Sequence, residues 1–313
     1  MKTARPLPEV LEGRPFTAAE AARAGVSAKR LRHRSLGRLG KGIRADGPTA
    51  ALPLSVRLRP FIEVNERCAA SHQTAAELHS LPQRRQDEAF DACHLVRPEG
   101  AAHLDRPHVI VHRMKLYEDE VTTIDGIPVT TPARTWLDMA ELLSLDEIVA
   151  MGDACVRVPR PEFEGRDMPL CSIRDLQRTI DKHRGKRGLR KAKEALELVR
   201  VGSDSPQETS LRLAIVRAGL PEPELNVPII ADDGSRHHEP DLSYRRYRIG
   251  IEYEGEHHGE EGQIARDITR SERYAALGWT EVRISKRHML NDAKPAAAKV
   301  LVALAQAGWR RGS

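Results

Sequence analysis

The sequence predicts a multi-domain α/β protein. The chain has 313 residues, which at roughly 100–200 residues per domain means about two or three domains. Helix and strand signals alternate through the middle of the chain, with hydrophobic periods switching between 3.6 and 2. The C-terminal third reads helix, three strands, helix, strand, helix, a mixed α/β order. Hydrophobic residues make up 40% and charged residues 30%, a balance that excludes wholesale disorder. Aromatics are only 4%, so an extended platform for stacking bases is not expected.

The formal net charge is +5, and it is unevenly placed. Residues 1–50 carry eleven Lys/Arg against four Asp/Glu, so the N-terminal segment is a basic patch suited to an anionic partner such as DNA. The four cysteines, Cys68, Cys93, Cys155 and Cys171, are far apart and form no CxxC pair. That spacing argues against a disulfide framework or zinc finger, and the thiols are expected to be reduced in a cytosol. Met1–Val10 lacks the apolar core of a signal peptide. No run of about 18 apolar residues is present, so a cytoplasmic protein with no membrane span is expected.

Residues 1–50 are expected to form a small DNA-binding unit. Thr17 and Glu20 match a capping box opening a short helix through about Arg23. Gly25-Val26-Ser27 is a turn, and Ser27 is placed to cap a second helix bearing Lys29, Arg30, Arg32 and Arg34. Two short helices around a glycine turn, the second basic, suit helix-turn-helix DNA binding or a helical hairpin with a solvated face. The stretch Gly37–Gly42 then fits a hairpin or wing. An α+β region follows over residues 51–160, with a helix from Ser71 to Leu81, extended pieces at His108–His112 and Gly126–Thr130, and helices at Pro132–Leu143 and Leu145–Val156. Its histidines, His72, His79, His94, His103, His108 and His112, look scattered in sequence and form no catalytic cluster.

Pro159, Pro161, Gly165 and Pro169 mark a linker, and residues 161–202 read as a basic helical segment. Its helices are Ile173–His183 and Leu189–Arg200. Lys182, Arg184, Lys186, Arg187, Arg190, Lys191 and Lys193 either touch a phosphate backbone or form a solvated face with Glu194 and Glu197 as partners.

Residues 203–313 carry the chemistry. Ser205 caps a helix that Gly219 ends. Strands are expected at Leu225–Ile230, Asp241–Tyr244, Tyr247–Glu254 and Thr280–Ser285, with helices at Arg266–Leu277 and Ala293–Ala307. If Arg245-Arg246 is a two-residue turn, Asp241 faces Gly250 across the hairpin. Side chains alternate along a strand, so Glu252 and Glu254 share a face with Asp241, while Leu242, Ile249 and Ile251 go to the other. Three carboxylates on one face repel unless a cation sits between them. Oxygen ligands of this kind suit Mg²⁺ or Mn²⁺, so Asp241, Glu252 and Glu254 are the candidate metal ligands. An ion held there orients a phosphodiester and activates water. Glu208 adds a fourth acid from the side. His257 and His258 stand as general base, metal ligand or polar loop residue. Arg270 and Arg283 either neutralise phosphate charge or, for Arg270, pair with Asp267 to fix the helix.

The run Pro240-Asp241-Leu242, Ile251-Glu252-Tyr253-Glu254-Gly255-Glu256-His257-His258, Asp267-Ile268-Thr269-Arg270, Leu277-Gly278-Trp279 and Val282-Arg283 resembles a known family. That family is the domain of unknown function related to very-short-patch repair endonucleases, in the PD-(D/E)XK superfamily. The resemblance covers about residues 203–292 and implies a restriction-endonuclease-like α/β core. It makes Asp241 and Glu252 metal-binding acids, Glu254 the second variable catalytic residue and Glu208 the helix-one acid. The third position of Glu252-Tyr253-Glu254 is not lysine, so the water-activating group is unassigned, with His257 or His258 as candidates. The front of the chain resembles the AbiEi-like antitoxins of type IV toxin–antitoxin systems, through Thr17–Ser27, Ser71–Ala76 and Gly126–Thr135. That resemblance implies an N-terminal winged helix acting as a DNA-binding repressor module, and a cognate toxin protein as partner.

The leading expectation is therefore a DNA-binding, Mg²⁺-dependent endonuclease acting in repair or defence. The alternative is a non-catalytic antitoxin or transcriptional repressor with a degenerate nuclease fold. A third reading is a nuclease acting on RNA or on structured or mismatched DNA.

Overall fold

A computed structural model describes residues 5–65, 67–83, 92–100, 107–162, 164–231, 233–254 and 271–311. In chain order the strands are β1 (Pro15–Thr17), β2 (Gly37–Gly40), β3 (Ile43–Ala45), β4 (Ala69–Ala70), β5 (Cys93–Arg97), β6 (Val109–Arg113), β7 (Val121–Ile124), β8 (Ile127–Thr130), β9 (Glu224–Leu225), β10 (Leu242–Tyr244), β11 (Ile249–Glu254) and β12 (Thr280–Ser285). The helices are α1 (Ala18–Arg23), α2 (Ala28–Leu31), α3 (Leu54–Glu63), α4 (His72–Leu78), α5 (Pro132–Met139), α6 (Leu145–Val156), α7 (Ile173–Lys182), α8 (Leu189–Leu198) and α9 (Pro206–Arg217), with a further helix at Lys294–Gln306. Residues 271–276 are also helical. The protein is mixed α/β with several sheets. No helix among the described residues is long and apolar enough to cross a membrane.

The chain forms two compact units, each built from two stretches of sequence. One comprises residues 1–142 and 174–190, the other 143–173 and 191–313.

In the first unit, β1, β3 and β2 make a three-stranded sheet in that order. Thr17 caps α1, accepting from the Glu20 backbone N–H at 3.0 Å. The expected return half of the capping box is absent because the Glu20 carboxylate turns instead to Arg14, 2.5 Å away. Ser27 caps α2. Gly42, with φ of +81°, makes the β2–β3 connection. Leu11, Phe16, Ala21 and Leu36 pack beneath. A second sheet runs β6-β5-β4-β8-β7, packed through Leu95, Ile127 and Val129.

Arg134 lies at the heart of this unit with 0% of its side chain exposed. Its guanidinium donates to Glu120 Oε2 at 2.6 Å, to Asp138 Oδ1 at 3.0 Å and to the Lys115 carbonyl at 3.0 Å. From residues 174–190, His183 reaches Glu120 at 2.5 Å and Lys186 reaches Asp138 at 3.0 Å. Buried carboxylates need this many partners to stay charged. Burial alone would raise Glu120 and Asp138, but His183 and Arg134 for the first, and Arg134 and Lys186 for the second, hold both below their usual values. The network explains why residues 174–190 fold with the first unit. Part of the basic run is paired within the unit: Lys186 with Asp138 of this network, Lys182 with Asp119 and Arg187 with Glu141. Gly188 allows a close approach, since a Cβ there would lie 2.6 Å from the Glu141 backbone nitrogen.

The second unit has a four-stranded sheet in the order β12-β11-β10-β9. β10 and β11 are antiparallel, and β11 and β12 are parallel, joined by the crossover that ends in the helical residues 271–276. Leu211, Ile215, Leu242, Ile249, Ile251, Val282, Ile284 and Val300 form its core. Two strand expectations need correction. The Leu225–Ile230 strand stops after Leu225, because Asn226 adopts a left-handed conformation (φ +47°) and Pro228 has no N–H to give the ladder. The hairpin connection is also longer than two residues. Arg245–Tyr247 form a 3₁₀ turn, Arg248 is left-handed, and Leu242 pairs with Ile251.

Asp153 of α6 is 1% exposed and joins that helix to α9. It accepts from Arg212 Nη2 at 3.0 Å, Thr209 Oγ1 at 2.8 Å and the Arg200 backbone N–H at 2.7 Å. Removing one partner of a buried pair strands the other, at a cost of about 3–5 kcal/mol, whereas an exposed pair is worth about 1 kcal/mol or less. Asp153→Ala and Arg134→Ala are therefore expected to lower stability by about 3–5 kcal/mol, against about 1 kcal/mol or less for Asp146→Ala, whose partner Arg217 is half exposed. Urea unfolding of the full chain checks this; equal losses for all three would show that the buried guanidiniums are not special.

Candidate functional site

The acids of the second unit converge through strand parity. The observed pairing differs from the expected one by two residues, an even slip, so every side chain stays on its expected face. Asp241 therefore lies across from Glu252, one step beyond the Leu242–Ile251 pair. Its Oδ2 accepts the Tyr253 backbone N–H at 2.7 Å. Glu252, 5% exposed, is held by two groups the sequence reading missed. His238 Nε2 and the Tyr274 hydroxyl each sit 2.6 Å from its Oε1. The Tyr274 ring lies against Gly250, where a Cβ would overlap it, so the glycine is what admits the tyrosine. No spacing rule in the sequence points to either residue, since each arrives from a segment whose path depends on the tertiary fold.

Glu208 is buried at the start of α9, and its oxygens are already engaged. Oε1 accepts from Ser205 Oγ at 2.8 Å, and Oε2 from the Asp204 backbone N–H at 2.8 Å and Asn226 Nδ2 at 3.1 Å. Burial raises its pKa. Asp241 goes up to about 7, mainly through burial, with Glu252 and Glu208 adding to it while the Tyr253 N–H and His238 oppose it. The three acids thus form one electrostatically coupled group. Glu254 leaves it for Arg283, 3.4 Å away. Arg283 in turn binds Glu281 at 3.1 Å and Ser271 at 2.9 Å. His257, His258 and Arg270 lie outside the described residues. The oxygen chemistry of Asp241 and Glu252 suits a hard cation, but Glu254 does not join them. Among the described residues no three His, Cys, Asp or Glu side chains are placed to hold a metal ion.

In the first unit, the expected DNA-contacting residues are mostly at the surface. Lys29, Arg32 and Arg34 are exposed. Arg30 is half-buried, donating to the Arg5 carbonyl at 2.7 Å and to Ser35 Oγ at 3.0 Å, while Arg32 Nε folds back on the Ala28 carbonyl at 3.2 Å.

Three of the histidines that looked scattered come together. His72 stacks on His112 with ring centroids 3.6 Å apart, and His94 Nδ1 lies 2.9 Å from His112 Nε2. Residue numbers hide this group because His72 opens α4 while His94 and His112 stand on adjacent strands β5 and β6. Burial lowers all three pKa values, to about 3 for His72 and about 4 for His94. Lys186 works in the same direction on His72 and His112, and Asp138 against it. His79 instead bonds the Thr130 carbonyl at 2.7 Å.

Residues 68–198 match the family described as the AbiEi antitoxin C-terminal domain. That stretch includes the buried Arg134 network and α6. Among curated proteins, two uncharacterized proteins from different strains of Mycobacterium tuberculosis are each 31% identical over 162 residues, covering 51% of this chain and 56% of the relative. The chain thus spans about half the length of the curated relatives it matches.

Two pH effects follow. A histidine whose folded pKa is depressed stabilises the fold above its unfolded value and loses that contribution as pH falls. The His72–His94–His112 group should therefore weaken the first unit as pH drops from about 6.5 toward 4, and replacing His94 and His112 with Gln should flatten that dependence in thermal melts. A profile unchanged by the substitution would mean the histidines are not the source. Asp241 has the opposite sign. Its raised pKa contributes stability at acid pH that is lost as pH rises through about 7. Asp241→Asn should accordingly stabilise the chain at pH 8 by on the order of 3 kcal/mol, with the gain vanishing near pH 4.

Proposed function

We propose that the protein is an AbiEi-like antitoxin and transcriptional regulator, binding DNA through its N-terminal unit and a cognate toxin as protein partner. The observation that carries this is the match of residues 68–198 to the AbiEi antitoxin C-terminal domain. Supporting the DNA-binding part is a pair of capped helices, the second basic, followed by the β2–β3 hairpin, an arrangement compatible with a winged helix. The C-terminal unit is read as a nuclease-type fold of the PD-(D/E)XK kind whose acids are now held by protein groups. Its helix, hairpin, crossover and parallel strand support that reading.

A second reading is a Mg²⁺- or Mn²⁺-dependent endonuclease. The observation favouring it is the placement of Asp241 opposite Glu252, with Glu208 near enough to add to the rise of Asp241. These residues would hold the ion, which would supply charge neutralisation at a phosphodiester.

One set of measurements separates the readings. Purified full chain is incubated with supercoiled and linear DNA and Mg²⁺ or Mn²⁺, with EDTA and Asp241→Ala as controls. The antitoxin reading expects DNA binding without metal-dependent cleavage. Nicking that EDTA and Asp241→Ala both abolish would establish the enzyme instead. Replacing Arg30 and Arg32 with Ala should weaken DNA affinity and reduce the slope of log affinity against log salt by about two if each contacts one phosphate. An unchanged slope removes the N-terminal unit from DNA binding.

A further inference from the structure

Cys155 and Cys171 are sixteen positions apart in sequence and adjacent in space. Cys155 stands in the last turn of α6, fully buried; Cys171 is half-buried, just before α7. The Cys171 backbone N–H donates to the Cys155 carbonyl at 3.0 Å. A direct main-chain bond brings the two Cα atoms close to the roughly 4.4–6.8 Å span that a disulfide requires. The other two cysteines are committed elsewhere: Cys68 Sγ donates to the Asn65 carbonyl at 2.7 Å, and Cys93 Sγ to the His108 carbonyl at 3.2 Å.

We propose that Cys155 and Cys171 are a redox modification site, oxidised to an internal disulfide by low-molecular-weight disulfides of the glutathione type. The accessible partner reacts first. The Cys171 thiolate attacks one sulfur of the small disulfide, expelling the other half, which takes up a proton as free thiol. Cys155 then gives up its proton, and its sulfur attacks the Cys171 sulfur of the mixed disulfide, expelling the second half as thiol. Two protein thiols lose two electrons and two protons, and one small disulfide becomes two small thiols. Burial and the neighbouring thiol keep Cys155 protonated, so it is a poor first attacker, and its fixed position beside Cys171 drives the second step.

The bond closes residues 156–170, and those residues reach the acids. Arg157 pairs with Glu164 at 2.5 Å and with Asp204 at 3.4 Å, and Arg160 pairs with Asp204 at 2.6 Å and with Glu239 at 3.4 Å. The Asp204 backbone N–H is the one that holds Glu208. The same segment walls a cavity of about 460 Å³ together with Val201, Gly202, Asp204 and Asn226, and Asn226 also donates to Glu208. Oxidation would fix this segment and with it the N-terminal end of α9. The proposal is independent of whether the acids cut DNA.

The test is to equilibrate the full chain in buffers of defined reduced-to-oxidised glutathione ratio, quench with an alkylating agent and map peptides by mass spectrometry. Expected is a linked Cys155–Cys171 peptide lacking two hydrogens, appearing with a single midpoint and reversed by dithiothreitol. A thermal midpoint higher by on the order of 5 °C should accompany it, and Cys171→Ser should abolish both signals. Cys155→Ser should trap a glutathione adduct on Cys171. A wild-type chain that retains the adduct on Cys171, or that keeps both thiols at every ratio, would overturn the proposal, and that mapping needs no variant to fold.

Discussion

A guanidinium group stays charged at any pH a protein meets, so burying one forces the chain to bring carboxylates to it. Among the described residues, Arg134 and Arg212 are the two arginines buried most completely, and each gathers its own set of acids. Around Arg134 gather Glu120 and Asp138, which in turn draw in His183 and Lys186 from a stretch beyond α6. Around Arg212 gather Asp153 of α6 and Glu222, so α6 is held against α9 although one ends at Val156 and the other begins at Pro206. The two stretches that exchange places, 143–173 and 174–190, are sorted by which arginine their acids and bases serve.

This sorting is the part of the fold least legible in the sequence. Hydrophobic content and turn signals gave α6, α7, α9 and β12 to within a residue or two, with Ser144 and Ser205 capping α6 and α9. They gave no sign of which helix an isolated Asp153 or Arg134 would meet, since ion-pair partners distant in sequence leave no periodic trace. The Lys/Arg run from Lys182 shows the same limit. The sequence leaves it open between phosphate contact and a solvated face; in the fold several of its charges pair with acids of the same unit.

The acid site was more legible than the hairpin that carries it. The connection between β10 and β11 is longer than the two residues expected, yet Asp241, Glu252 and the apolar Leu242, Ile249 and Ile251 fall on the faces assigned to them. The reason is arithmetic: a slip of two preserves the alternation that a slip of one would invert. What alternation does not reach is anything arriving from outside the sheet. His238 and Tyr274 clasp Glu252, and the His72–His94–His112 stack forms where a helix start meets two strands. Glu254 shares the correct face and still goes to Arg283, because a shared face fixes direction but not partner.

The exchange of segments between the units also bears on how the chain can be made. Synthesis proceeds from the N-terminus, and a unit folds once all of its sequence has left the ribosome. The first unit lacks His183 and Lys186, and so half of the Arg134 cage, until residue 190 has emerged. By then α6 is already outside, with Asp153 carried on an apolar helix whose partner Arg212 has yet to emerge. For those tens of residues the nascent chain exposes a face that nothing yet covers, and this interval is where a chaperone, or a pause in translation, would have its largest effect on yield.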